Sequence, residues 1–157
     1  MGAFMIFQKM LGICFKEAHD DGVTLTLPIK PEFINGAGVL HGGVCATLAD
    51  ACAGGGIHNV IGRTSRMTTV ELKINYLRPV VEGTLTARAK VVKAGNTICV
   101  ANVDIFDDQD KQIGVARVTY MLLGPMTPEQ VERRKSRPEV FGEAWGKDDS
   151  VSSSETF

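Results

Sequence analysis

The stretch 41–54, HGGVCATLADACAG, constrains the fold more than any other part of the chain. Val44, Thr47, Leu48, Ala51 and Cys52 recur at helical intervals, and nearly every other side chain there is small. Such a helix suits close enclosure by other elements better than a place on a surface. Gly54, Gly55 and Gly56 read as its end, which gives a helix of about 14 residues and roughly 20 Å at ~1.5 Å per residue. The material to enclose it follows directly. In 67–77, Val70, Leu72, Ile74 and Tyr76 alternate with Thr69, Glu71, Lys73 and Asn75, the two-residue period of a strand. Segments 84–92, 97–106 and 113–123 are also strand-like, and the links 80–83, 94–96 and 107–110 have turn composition, which predicts an antiparallel meander. The expected class is α+β.

Upstream, 14–18 and 23–29 flank His19-Asp20-Asp21-Gly22 as a hairpin, and 31–38 (PEFINGAG) reads as an irregular loop. Phe4, Phe7, Met10 and Leu11 at helical spacing predict a short amphipathic helix within 2–12. Thr127-Pro128-Glu129-Gln130 supplies an N-cap, a proline at the first helical position and a capping-box partner, predicting a brief helix to about Arg137. Beyond Pro138 the tail reads as loosely ordered. A length of 157 residues with 44% hydrophobic and 22% charged side chains fits one globular domain.

Charge and cysteines narrow the function classes. Seventeen Lys and Arg against 18 Asp and Glu give a net charge of -1, so no global field recruits nucleic acid or an acidic membrane. Cys14, Cys45, Cys52 and Cys99 form no C-x-x-C pair, and the first residues carry no secretory pattern, which predicts reduced thiols and a cytoplasmic protein. No apolar run approaches the ~18 residues of a membrane span. His19, His41 and His58 show no metal-ligand spacing, and no metal or cofactor is expected.

The residues that could carry chemistry lie in 35–50, NGAGVLHGGVCATLAD. Gly42 and Gly43 fall where the helix begins, where N–H groups lack intrahelical partners and the macrodipole favours negative charge. A carbonyl oxygen gaining charge would be stabilised there; the alternative is a glycine pair chosen for tight packing. Asp50 sits about two and a half turns further on, and Ala46, Thr47, Ala53 and Gly54 beside it are all small, leaving room above the carboxylate. Enclosed by sheet, it suits a general base or a nucleophile; otherwise it is a solvated aspartate. Asn35 either holds a ligand or is an ordinary turn asparagine, and His41 either caps the helix or contacts a ligand. There is no G-x-S-x-G elbow, and no P-loop lysine follows the glycines, which removes serine hydrolases and NTPases.

NGAGVLHGGVCATLADACAG followed by TVELKINYLRP resembles the PaaI-like acyl-CoA thioesterases of the hotdog fold, over roughly residues 5–124. The resemblance implies a long antiparallel sheet wrapped around one helix, within a domain of residues 1–124, and leaves 125–157 as a C-terminal extension. It further implies a homodimer, pairing into a dimer of dimers, with each active site built between subunits and acyl-CoA as substrate. Residue by residue, it casts Gly42 as the amide that polarises the thioester carbonyl and Asp50 as the nucleophile or general base, donated across the interface. Asn35 and His41 match the loop asparagine and the histidine of the His-Gly-Gly, and Thr69 matches a hydroxyl that assists the attacking water. Strand parity puts Thr68 on the apolar face instead, unless a bulge exchanges them. Gly43, Arg63, Arg66, Arg78, Lys90 and Lys93 are the candidates for holding substrate, the cations through the phosphates of coenzyme A. The competing functions are a non-catalytic acyl-CoA sensor or carrier in the same pocket, and a hotdog dehydratase.

Overall fold

In a computed structural model that describes residues 7–62 and 64–135, the elements run α1 (Phe7–Leu11), β1 (Cys14–His19), β2 (Gly22–Pro28), a 3-10 turn (Pro31–Phe33) and α2 (Gly42–Ile61). They continue as β3 (Ser65–Tyr76), β4 (Thr84–Ala94), β5 (Ile98–Phe106), β6 (Gln112–Pro125) and α3 (Pro128–Lys135). Six strands make one antiparallel sheet in the order β1-β2-β4-β5-β6-β3, packed around α2. The expected α+β architecture, a long sheet around a central helix, is therefore the one that forms.

The helix is longer than its glycines suggest, 20 residues against the expected 14 or so, roughly 30 Å. Gly54, Gly55 and Gly56 lie inside it, buried. A Cβ at Gly56 would stand 3.1 Å from the Ala89 Cβ and 3.4 Å from the Gly22 Cα, and one at Gly54 would stand 2.8 Å from the Tyr120 hydroxyl. These glycines let the sheet approach the helix; each gives up about 1 kcal/mol of helix propensity, which the packing offsets. The stop is Gly62, whose φ of 84° and ψ of 160° form an extended, positive-φ conformation that glycine adopts freely and that cannot continue the helix. Leu48, Ala49, Cys52, Ala53 and Ile57 of α2 are fully buried against Val23 and Leu27 of β2, Leu85, Ala87 and Ala89 of β4, and Ile105 of β5.

The meander expectation holds only for β4, β5 and β6. Strand β3 pairs with β6 at the far edge, and β4 pairs with β2. The link 77–83 carries the chain back across three inter-strand gaps, roughly 14 Å at ~4.8 Å each, which seven residues span easily at ~3.3 Å apiece. It is tied down on the way: the Leu77 N–H donates to the Ile113 carbonyl (2.8 Å), the Leu40 N–H to the Val80 carbonyl (2.7 Å) and the Ile29 N–H to the Gly83 carbonyl (2.9 Å). The consequence is that β3, 12 residues long, is an edge strand with one unpaired side.

At the ends, α1 buries Leu11 and leaves Phe7 and Met10 exposed. The capping box forms as expected, with the Thr127 N–H donating to Gln130 Oε1 (2.9 Å) and the Gln130 N–H to Thr127 Oγ1 (3.3 Å). Phe4 and the tail beyond Pro138 lie outside the described residues.

Candidate active site

Asp50 is half-buried on α2, and its Oδ1 is held from the sheet by two hydroxyls. Thr69 Oγ1 donates to it at 2.8 Å and the Tyr120 hydroxyl lies at 2.9 Å, also 2.9 Å from the Asp50 carbonyl oxygen. Thr69 on β3 and Tyr120 on β6 are directly paired across the sheet. Their shared aim comes from a bulge: the register steps from Thr69–Tyr120 to Glu71–Thr119 and leaves Val70 unpaired. Met67 and Thr69 therefore face the helix before the bulge, and Leu72 and Ile74 after it. This corrects the parity of the sequence reading, since Val70 is 48% exposed and Thr69, not Thr68, meets the carboxylate.

Burial pushes the Tyr120 phenol well above the ordinary tyrosine range; the Thr69 hydrogen bond opposes the rise, and the Asp50 carboxylate adds to it. Tyr120 is thus protonated at neutral pH and able to donate. The carboxylate borders a cavity of about 460 Å³ whose walls include Phe15, Leu25, Gly54, Met67 and Met126, apolar except at Asp50, Arg66 and a few other polar groups. That is the size and character of a small-molecule pocket.

The other end of α2 forms a second cavity of about 440 Å³, bordered by Asn35, Gly42, Cys45, Tyr76, Arg78 and Val80 among others. His41 is the N-cap: its Nδ1 accepts the Gly43 N–H at 2.9 Å, so the neutral ring carries its proton on Nε2. That commits the Gly43 amide to the cap. The Gly42 amide has no acceptor among the described residues. Tyr76 closes over Gly42, donating to its carbonyl oxygen at 2.8 Å, and a Cβ on Gly42 would lie 2.9 Å from the phenol. Asn35 takes the turn role, its Oδ1 accepting from the N–H groups of Ala37 (2.8 Å) and Val39 (3.4 Å).

Residues 37–113, which span the helix start, Asp50 and Thr69, match the family model described as "Thioesterase superfamily". The medium/long-chain acyl-CoA thioesterase YigI of Escherichia coli K12 is 30% identical over 133 residues, covering 75% of this chain and 86% of that protein. The chain belongs to the thioesterase superfamily. Among solved structures, the thioesterase HI1161 of Haemophilus influenzae is similar with a TM-score of 0.71 and 28% identity, over 77% of this chain and 85% of that one. The E. coli PaaI protein from the phenylacetic acid degradation operon gives 0.70 and 25%, over 76% and 86%. The hotdog fold and the PaaI-like resemblance of the sequence are both borne out.

The cations of this thioesterase divide. Arg66 borders the Asp50 cavity and donates to the Leu123 carbonyl at 2.7 Å, and Arg78 borders the Gly42 cavity. Lys90 and Lys93 border neither. On β4 the buried Leu85, Ala87 and Ala89 face the helix, so Lys90 projects from the outer face; the register step at Val92 keeps Lys93 there too. Arg63 lies outside the described residues. Among the described residues no group of three or more His, Cys, Asp or Glu is arranged to hold a metal. Two residues that the sequence reading did not single out, Tyr76 and Tyr120, touch the site directly. Tyr120 had a signal: it shares the two-residue phase of Ala116 and Val118 on β6, and a tyrosine facing a core needs a partner for its hydroxyl.

Proposed function

We propose that the chain is an acyl-CoA thioesterase that releases a free acid and coenzyme A, working as a homodimer that pairs further into a dimer of dimers. The observation that carries the reading is Asp50, a carboxylate fixed on one oxygen by Thr69 and Tyr120 at the edge of an apolar cavity. An acyl group lies in that cavity with its carbonyl near the carboxylate. Asp50 either takes a proton from an attacking water or attacks the carbonyl carbon itself. The new C–O bond forms, the carbonyl oxygen gains charge, and the tetrahedral intermediate collapses by breaking the C–S bond. The coenzyme A thiolate leaves and takes up a proton, the one Asp50 removed where water attacked; where Asp50 attacked, water then hydrolyses the acyl-aspartyl anhydride, which releases the acid and restores the carboxylate.

The Gly42 amide supplies the oxyanion contact, but not to the same chain's Asp50. Eight residues of helix separate the two by about 12 Å along the axis, and they border different cavities. A reacting carbonyl has to lie about 3 Å from both donor and base, and their separation within one chain supports a site shared between two chains. A second copy joined along the unpaired edge of β3 brings the Gly42 of one subunit to Asp50 of the partner subunit. Arg78 beside Gly42 and Arg66 beside Asp50 are the described cations placed to meet the phosphates of coenzyme A, with Arg63 next in sequence to that region. Residues 1–124 form the catalytic domain and 125–157 an extension. The three buried, unpaired thiols support a cytoplasmic setting.

The test is turnover of a panel of acyl-CoA esters of graded chain length, aromatic ones included, followed by thiol release in the native protein and in Asp50→Asn. Native turnover and a loss of about two to four orders of magnitude in the variant are expected. Tight acyl-CoA binding without turnover would make the protein a sensor or carrier, and an unimpaired variant would remove Asp50 from the chemistry.

A further inference from the structure

Tyr120 makes two contacts that none of the reaction steps above requires. Its ring is buried, with 7% of its surface exposed, and its hydroxyl reaches both the carbonyl and Oδ1 of Asp50. It can do so because residue 54, four positions along α2 from Asp50, has no side chain: a Cβ there would stand 2.8 Å from the Tyr120 Oη and 3.2 Å from its Cζ. A mid-helix glycine, a core-facing tyrosine and the Val70 bulge that aims Thr69 thus converge on one carboxylate oxygen. Oδ2 accepts no hydrogen bond from the described residues.

We propose that Tyr120 is a positioning residue that fixes Asp50 through Oδ1 and leaves Oδ2 as the reacting oxygen, with Gly54 as the opening that admits it. This rests on the reading of Asp50 as the carboxylate of a thioester hydrolase. Both acceptors face the one phenol hydroxyl, whose single proton is shared between the main-chain carbonyl and Oδ1 of Asp50, so the buried phenol ties the carboxylate's rotamer to the helix that carries it. The titratable and charged groups around Asp50 are Tyr120 from β6, Arg66 from β3 and His58 from α2, all bordering the same cavity. Among the described residues, only Tyr120, with the neutral Thr69, bonds the carboxylate.

The experiment measures kcat and KM separately for Tyr120→Phe, Gly54→Ala and Asp50→Asn, using the best acyl-CoA substrate of the panel. Phenylalanine keeps the ring and its packing. Tyr120→Phe is expected to lower kcat roughly 10- to 100-fold, the range for a hydrogen bond to a charged group, with KM little changed. Gly54→Ala, which drives a methyl group against the hydroxyl, is expected to lower kcat in the same way, again with KM little changed. Circular dichroism and melting curves show that each variant is folded. If Asp50→Asn is inactive while Tyr120→Phe or Gly54→Ala keeps the native kcat, or changes KM and not kcat, the positioning role is overturned and the hydrolase reading stands. If Asp50→Asn is fully active, both fall.

Discussion

Mixing two inactive variants tests the shared active site most directly. Asp50→Asn removes the base and keeps its size. Gly42→Val puts a side chain at the helix start, where even a Cβ lies 2.9 Å from the Tyr76 phenol, and it blocks the approach to the amide. Tyr76 is half-exposed and has room to yield, so the fold should survive; a melting point close to native checks this. Alone, each variant should lose about two or more orders of magnitude in turnover. On the proposed reading, the axial separation of about 12 Å puts the two positions in different active sites of a dimer. In a mixed dimer one site therefore carries both lesions and the other carries neither. Equal amounts with free exchange give about half mixed dimers, each with one of two sites restored, so about a quarter of native activity should return. Differently tagged chains and native mass spectrometry establish that exchange has occurred. Activity that stays at the level of the separate variants, with mixed dimers present, would mean that Gly42 and Asp50 serve one site within one chain.

Three further outcomes follow from separate parts of the molecule. Arg66→Ala and Arg78→Ala should raise KM and weaken its increase with ionic strength while kcat stays close to native, because exposed contacts to phosphate are screened by salt; initial rates over a range of salt concentrations read this. Gly56→Ala should lower the melting temperature in calorimetry despite the better helix propensity of alanine, since its methyl would stand 3.1 Å from the Ala89 Cβ and 3.4 Å from the Gly22 Cα, and overpacking of this kind costs about 1–3 kcal/mol. Burial pushes the Cys45 thiol up to about 11 and the Cys52 thiol up to about 12 from 9.0, so the unfolded thiols ionise first as pH rises. The stability they contribute is complete below pH 9 and lost as pH climbs through 11 and 12, which denaturant midpoints against pH would show; the exposed Cys14 should be the thiol that reacts with Ellman's reagent in the native state.

What could be read in the sequence, and what could not, has a physical pattern. The helix from His41 and the strand segments were legible because periodicity reports which face of an element is buried. Strand order was not, because a two-residue period says nothing about which neighbour a strand takes, and the link 77–83 is long enough either to turn back or to cross. The helix end was misplaced because a glycine that stops a helix and a glycine that lets a sheet approach it look alike in sequence; only the φ of 84° at Gly62 and the near contacts at Gly54 and Gly56 separate them.

Several of these departures lie together, around Asp50. Val70 breaks the parity of β3, and the break turns Thr69 inward. Gly54 stands inside a helix that a local rule would end there, and its missing side chain admits the Tyr120 hydroxyl. Asp50 is a poor residue for a helix interior and has no Lys or Arg three or four positions away on α2. Each is a small cost if taken alone: an unpaired strand residue, a flexible helix position, a carboxylate taken partly out of water. All are accounted for if the fold gives up local regularity in order to hold one carboxylate oxygen fixed from two strands at once, as expected where chemistry and not folding sets the local sequence.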